Sequence, residues 1–197
     1  MSGRDICLLV FDGLADWEPS FALTGLRRWA SMSVRTVGFS AAPVTTMGGL
    51  RLLPDATLAQ VDAGGVALFM LPGGDMWEND YPRAQLEPVL GELRARQVPI
   101  AAICGATVAL ARAGLLAGRR HTSNGREYLL AHAPGYAGAE HYEEGLAMRD
   151  DGIITASGLG AVEFAREIFA ELQAFSADDI ALFYEMYRHG RMPAGTA

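Results

Sequence analysis

An alternation between short apolar runs and longer segments with helical periodicity constrains the fold of this chain more than any other feature. Runs typical of buried strands cover Ile6–Phe11, Val34–Phe39, Val66–Leu71, Pro99–Ile103 and Ile153–Ala156. Apolar residues at helical spacing lie between and after these runs, as in 18–30 and 83–96. Continuous apolar strands that alternate with helices predict an α/β fold with a mostly parallel sheet covered on both faces.

A β-hairpin is predicted to interrupt this order. Val44–Thr46 and Leu50–Leu53 have the character of two short strands, and Gly48 and Gly49 between them suit a tight turn. The length of 197 residues suits one domain, 1–197. In an open sheet of this kind, functional residues are expected just beyond the carboxyl ends of the strands.

The composition narrows the range of partners. A formal net charge of -7 disfavours nucleic acids and anionic membranes, because both require basic patches. The longest apolar stretch, Val98–Ala111, is shorter than the roughly 20 residues of a membrane helix, and no signal peptide is apparent. The two cysteines, Cys7 and Cys104, show no metal-type spacing and suggest a reducing cytoplasm. We therefore expect a cytoplasmic protein with no metal or cofactor, acting on small molecules.

Cys104 stands where the predicted strand Pro99–Ile103 runs directly into a helical segment. Small residues surround it, as a sharp strand-to-helix turn requires. The following helix directs its N-terminus at the sulfur, which favours the thiolate and lowers the thiol pKa. We therefore predict that Cys104 is a reactive nucleophile, the alternative being an inert cysteine at a strand end. Cys7 lies inside an apolar run, and we predict that it is buried and inert.

Two further segments follow predicted strands. Gly73 and Gly74 come directly after Val66–Leu71, where their backbone amides suit an oxyanion site, although a plain turn is the alternative. Glu18 follows the first strand, where it is either a simple first-turn charge or a carboxyl within reach of Cys104. Beside a thiolate, its carboxyl is expected to stay protonated and to donate a hydrogen bond to the sulfur.

The histidines decide which proton transfers are available. His121 follows Gly118-Arg119-Arg120 and is predicted at a short strand end on the site side. We retain it as a candidate base for Cys104. His132, His141 and His189 lie in polar or loop-like surroundings, which favour solvated side chains.

The combination of these segments resembles the ThiJ/PfpI superfamily, which includes the parkinsonism-associated protein deglycase and bacterial stress proteins. The resemblance covers nearly the whole chain and rests on the segments 101–107, 71–74, 16–18 and 156–158 with 163–165. It implies a flavodoxin-like three-layer sandwich and a homodimer. It also implies that Glu18 lies beside Cys104, with the amides of Gly74 and Gly105 nearby.

Two departures from the superfamily pattern bear on activity. PfpI-type members carry histidine directly after the cysteine, where this chain has Gly105. Deglycase-like members carry histidine at a position that aligns with Asn124. The general base of a hydrolase is missing from both places, so we do not expect peptidase activity.

Two functions remain open at this point. One is a redox-responsive stress protein whose Cys104 is oxidised, which needs a thiolate, the acid of Glu18 and nearby amides. The other is a cysteine-dependent enzyme for small electrophiles, such as a glyoxalase, a deglycase or an amide hydrolase. The second function also needs a proton shuttle, for which Glu18 and His121 are the candidates.

Overall fold

The computed structural model describes residues 4–192, which form nine strands and six α-helices. The strands are β1 (Asp5–Val10), β2 (Val34–Gly38), β3 (Val44–Thr45), β4 (Arg51–Leu52), β5 (Ala56–Thr57), β6 (Val66–Leu71), β7 (Ile100–Ile103), β8 (Ala147–Asp150) and β9 (Ile153–Ala156). The helices are α1 (Trp17–Arg28), α2 (Arg83–Ala95), α3 (Ala106–Arg112), α4 (Arg126–His132), α5 (Ala161–Glu171) and α6 (Ala177–His189). Short 3-10 turns join several of these elements.

Seven strands form one sheet in the order β5-β2-β1-β6-β7-β9-β8. All neighbouring strands are parallel except β8, which runs antiparallel to β9 at one edge. This confirms the predicted α/β fold with its mostly parallel sheet. The chain moves outward from β1 to β2 and then returns to place β6 on the other side of β1. Clefts form at such a reversal, beyond the carboxyl ends of the strands.

Helices cover both faces of the sheet. Along the sheet, the step from β1 to β2 runs in one direction, and the steps from β6 to β7 and from β7 to β9 run in the other. Because connections between parallel strands are right-handed, α1 lies on one face of the sheet, and α2 and α3 lie on the other. On the first face α1 packs closely on α5, and a Cβ at Gly25 of α1 would lie 2.4 Å from the ring of Phe169. Only glycine allows this approach. The central strands β1, β6 and β7 are almost entirely buried between the two layers.

Strands β3 and β4 form the predicted hairpin as a separate two-stranded sheet. The hairpin is bonded to the loop between β1 and α1. Gly13 N–H donates to Thr45 O at 2.8 Å, and Met47 N–H donates to the carbonyl of residue 14 at 2.8 Å. The Asp16 carboxylate accepts from Gly48 N–H at 2.6 Å. The hairpin therefore fixes the loop from which α1, and with it Glu18, begins.

The edge strands β5 and β8 were not predicted from the sequence. β5 has only two residues, and β8 is half-exposed and lacks a continuous apolar run. Within residues 4–192, no helix combines the length and the apolar character that crossing a bilayer requires.

Candidate active site

Cys104 lies at the corner between the end of β7 and the start of α3. Its φ of 58° is in the left-handed region, which a residue with a side chain seldom occupies and which marks a sharp turn. Its N–H donates to Ala156 O at the end of β9, at 2.8 Å. The corner is thus held by the neighbouring strand, and the half-buried thiol projects beyond the sheet.

Two glycines pack directly against the cysteine. A Cβ at Gly73 would lie 2.7 Å from Cys104 Cβ, and a Cβ at Gly158 would lie 2.9 Å from the sulfur. Any larger residue at either position would displace the thiol. The cysteine is therefore closely packed on two sides.

Glu18 is buried in the first turn of α1, with 1% of its surface exposed. One carboxyl oxygen accepts a hydrogen bond from the N–H of Gly73. The carboxyl is also hydrogen-bonded to the Cys104 thiol. The loop after β1, the loop after β6 and the corner after β7 thus meet at one point. Glu18, Gly73 and Cys104 therefore lie together.

The carboxyl and the thiol form a coupled acid pair. Burial raises the pKa of Glu18 to about 7, although hydrogen bonds from Gly73 and Cys104 lower it in part. Burial, followed by the negative charge of Glu18, raises the pKa of the Cys104 thiol to about 11. Two negative charges in contact at a buried site repel each other strongly. Around neutral pH the pair therefore carries at most one charge.

The thiol pKa is raised, whereas the helix N-terminus alone predicts a lowered one. The side chain of Asn124 and the N–H of Gly105 donate to the sulfur and do lower the pKa of Cys104. The cost of burying charge outweighs these two contributions. Local sequence reveals the helix that follows the cysteine, but not the depth at which other loops bury its sulfur.

Gly74 packs directly against Gly105, the residue that follows the cysteine. Gly105 N–H interacts with the sulfur, and within residues 4–192 the N–H of Gly74 donates to no protein oxygen. Gly74 has a φ of 153°, and a Cβ there would lie 2.8 Å from Gly13 O. Only glycine fits this turn. The geometry leaves the Gly74 amide available to a ligand oxygen.

His121 is fully buried and bonded away from the sulfur. Nδ1 lies 2.7 Å from Arg119 O, and Nε2 is hydrogen-bonded to the Tyr136 hydroxyl. Burial lowers the pKa of the imidazole, so the ring is neutral at physiological pH. The predicted short strand at this point is a single parallel bridge to Tyr142. The structure brings Glu18, Gly73 and Gly105 to Cys104, whereas both ring nitrogens of His121 are bonded to other groups.

Asn124 contacts the sulfur, although the sequence did not predict it as a site residue. Its Nδ2 donates to Cys104 Sγ at 3.2 Å, and its Oδ1 accepts from Gly158 N–H at 2.9 Å. The available signal was the alignment of Asn124 with a histidine of the superfamily. Gly158 lies in a segment that carried the resemblance, but its sequence context does not reveal its contact with the sulfur.

The second cysteine has none of these surroundings. Cys7 lies in the central strand β1 and is 3% exposed. Burial raises the pKa of its thiol to about 11. Because Cys104 is more exposed and has two donors on its sulfur, we still expect Cys104 to react first.

Comparisons with known proteins agree with the fold. The DJ-1/PfpI family model matches residues 4–171. A Bacillus subtilis protein named "Uncharacterized protease YoaZ" is 37% identical over 193 residues, covering 94% of this chain and 91% of that protein. The crystal structure of a DJ-1 superfamily protein from Agrobacterium tumefaciens has a TM-score of 0.88 at 29% identity, covering 95% of this chain and 100% of its own. A thiJ/pfpI family protein from Bacillus anthracis has a TM-score of 0.87 at 33% identity, covering 97% and 93%.

Proposed function

The chain belongs to the DJ-1/PfpI family, and we propose that it is a stress-related member in which Cys104 acts as an oxidisable, redox-responsive thiol. The observation that carries the proposal is the hydrogen-bonded pair of Cys104 and Glu18, in which burial raises the pKa of the carboxyl to about 7. Such a carboxyl exchanges its proton near neutral pH. It therefore serves both as the acceptor of the thiol proton and as a later donor.

The proposed chemistry begins with a shift of the proton from the sulfur to Glu18. The thiolate attacks one oxygen of hydrogen peroxide, the O–O bond breaks, and the proton of Glu18 passes to the departing hydroxide to give water. Cys104 becomes a sulfenic acid, so the sulfur is oxidised and the peroxide is reduced. A second peroxide converts the sulfenate to a sulfinate and again releases water. In this proposal the amides of Gly74 and Gly105 stabilise the added oxygens.

The enzymatic alternative needs repeated proton transfer to and from a substrate. Glu18 supplies one titratable group, whereas His121 is bonded to Arg119 and Tyr136. The position after the nucleophile is glycine, and Asn124 cannot act as a base. These features disfavour peptidase activity in this chain. A methylglyoxal turnover that is sustained in the wild type and lost in Cys104→Ala would favour the enzyme instead.

The same proposal includes the oligomeric state and the cellular compartment. We propose a homodimer in the cytoplasm, acting on a small oxidant or electrophile. Family membership supports the dimer, and the two free cysteines suit a reducing compartment.

The decisive experiment is a thiolate absorbance titration of wild type, Glu18→Gln and Glu18→Leu, each in a Cys7→Ser background. Taken separately, the pKa values of about 7 and about 11 assign the first charge of the pair to Glu18. The proposal instead assigns it to the sulfur, so thiolate should appear in the wild type near pH 7, with the proton held by Glu18. Glu18→Leu removes the donor and should move the midpoint upward by more than one unit. Glu18→Gln retains an N–H donor and should move it less.

The same proteins should be treated with limiting peroxide and analysed by peptide mass. We expect the wild type to add two oxygens at Cys104, and Glu18→Leu to give less of this product. A wild-type midpoint near 11 that falls in Glu18→Leu would mean that the charge resides on Glu18. That result, or a Cys104 left unoxidised while Cys7 is modified, would contradict the proposal.

A further inference from the structure

Asn124 lies on a loop between β7 and β8 and contacts the sulfur from outside the sheet. Its Nδ2 is 3.2 Å from Cys104 Sγ, and its Oδ1 is 2.9 Å from the amide nitrogen of Gly158. The second contact fixes the orientation of the side-chain amide. A backbone N–H only donates, so the oxygen of Asn124 must face Gly158 and the NH₂ group must face the sulfur. The reversed amide would present an oxygen to a sulfur anion.

Tyr128, on the first turns of α4, supports the same orientation. Its hydroxyl donates to Glu78 Oε1 at 3.0 Å, which leaves the lone pairs of the hydroxyl oxygen available. Asn124 lowers the pKa of the Tyr128 hydroxyl, as a nearby N–H donor does. The NH₂ group of Asn124 therefore faces the sulfur, with the oxygen of Tyr128 as a second acceptor on the same side. A carboxylate at Glu78 polarises the tyrosine oxygen and strengthens the chain of bonds.

We propose that Asn124 is a catalytic donor to the reactive sulfur, stabilising its anionic form with a hydrogen bond that does not vary with pH, and that Tyr128 is a positioning residue for it. An amide has no titration in the physiological range, so it donates equally to a thiolate at pH 5 and at pH 9. An imidazole in this place would add its own titration near its usual pKa of about 6.5.

The biological role of this hydrogen bond rests on the proposed function, whereas its effect on the pKa of Cys104 does not. Among residues 4–192, Glu18 is the only ionisable side chain that is hydrogen-bonded to Cys104. The reactivity of the sulfur is then expected to follow a single ionisation of the Glu18 and Cys104 pair. The amide of Asn124 sets the level of that reactivity without adding a second pH-dependent step.

The test is the pH dependence of Cys104 alkylation by iodoacetamide, read by peptide mass in a Cys7→Ser background. Asn124→Ala removes the donor and should raise the midpoint by about one unit, which corresponds to a rate about tenfold lower at pH 7. Asn124→Asp keeps the shape but adds a charge and should lower the rate further. Tyr128→Phe should produce a smaller shift in the same direction.

Asn79→Ala is the matched control. Asn79 is an exposed asparagine whose side chain bonds to the backbone of Asp75, so its removal should leave the pH profile unchanged. A merely structural Asn124 would change the melting temperature without moving the midpoint, and an unmoved midpoint in Asn124→Ala would overturn the inference. If the midpoint moves but peroxide does not oxidise Cys104, the donor is established and only the redox role fails.

Discussion

Glu18 occupies a buried position where ionisation of its carboxyl is unfavourable. Its carboxyl is buried against Gly73 and Cys104, and burial raises its pKa from 4.5 to about 7. The folded protein therefore binds a proton more tightly than the unfolded chain does. The stabilisation is fully present below pH 4.5 and is lost as the pH rises through 7.

We expect this linkage to cost the wild type about 3 kcal/mol of unfolding free energy between pH 4.5 and pH 7.5. Glu18→Gln removes the ionisable group, so it should lose correspondingly less stability over the same interval. Urea unfolding at several pH values measures the difference in unfolding free energy between the wild type and Glu18→Gln. The contributions of all other ionisable groups cancel in this difference. Parallel stability curves would show that Glu18 has an ordinary pKa in the fold.

At the scale of residues, sequence patterns indicated part of the site. The strand-to-helix turn at Cys104 was predictable because small residues and an apolar run lie next to it in the chain. The contact of Asn124 was not, because it depends on how a loop 20 residues further along folds back over the sulfur. The environment of His121 was equally hidden, since its partner Tyr136 lies 15 residues away in a loop.

The short β3–β4 hairpin helps to fix the start of helix α1. Asp16 accepts from the Gly48 amide and precedes α1 directly, so the hairpin and the start of that helix are joined. The sequence predicted the hairpin from its turn glycines. It gave no sign of these bonds, which link separate parts of the chain.

Asp16→Ala should loosen this connection. Loss of a hydrogen bond to a carboxylate should raise hydrogen exchange of the Gly48 amide about tenfold or more, given about 1.5–3 kcal/mol for such a bond. Exchange measured on peptides covering residues 44–52 tests this. Asp80→Ala, at an exposed acid that makes none of the hairpin bonds, serves as the control. Equal exchange in the two variants would show that the hairpin is held by its other contacts.

The charge of the whole molecule bears on which reagents reach the sulfur. The net charge is -7, ionisation of the Glu18 and Cys104 pair places a negative charge at the site, and Glu78 accepts a hydrogen bond from Tyr128 on α4. Within the described residues 4–192, Glu18 forms no ion pair with an arginine, and its hydrogen-bond partners are Gly73 and the thiol. The field at the sulfur therefore opposes anions and leaves neutral molecules such as peroxide unaffected.

Iodoacetamide and iodoacetate offer a neutral and an anionic probe of nearly equal size. At Cys104 the rate with iodoacetamide divided by the rate with iodoacetate should be about fivefold larger than the same quotient for a neutral free thiol. This difference corresponds to roughly 1 kcal/mol of repulsion on the anion. Added salt should reduce the excess, and Glu78→Gln should reduce it at low salt. A ratio equal to that of the free thiol would show that no net repulsion acts at the sulfur.

The loop that carries Asn124 also bears on how this chemistry can diverge in evolution. Cys104 and Glu18 are fixed by a sheet strand and a helix on which the core depends, whereas Asn124 extends to the sulfur from a segment outside the strands. Asparagine and histidine codons differ by a single base. One point mutation therefore introduces an imidazole at this position with no change to the sheet. A lineage can exchange a neutral partner of the sulfur for a titratable one while keeping its thiol and its carboxyl.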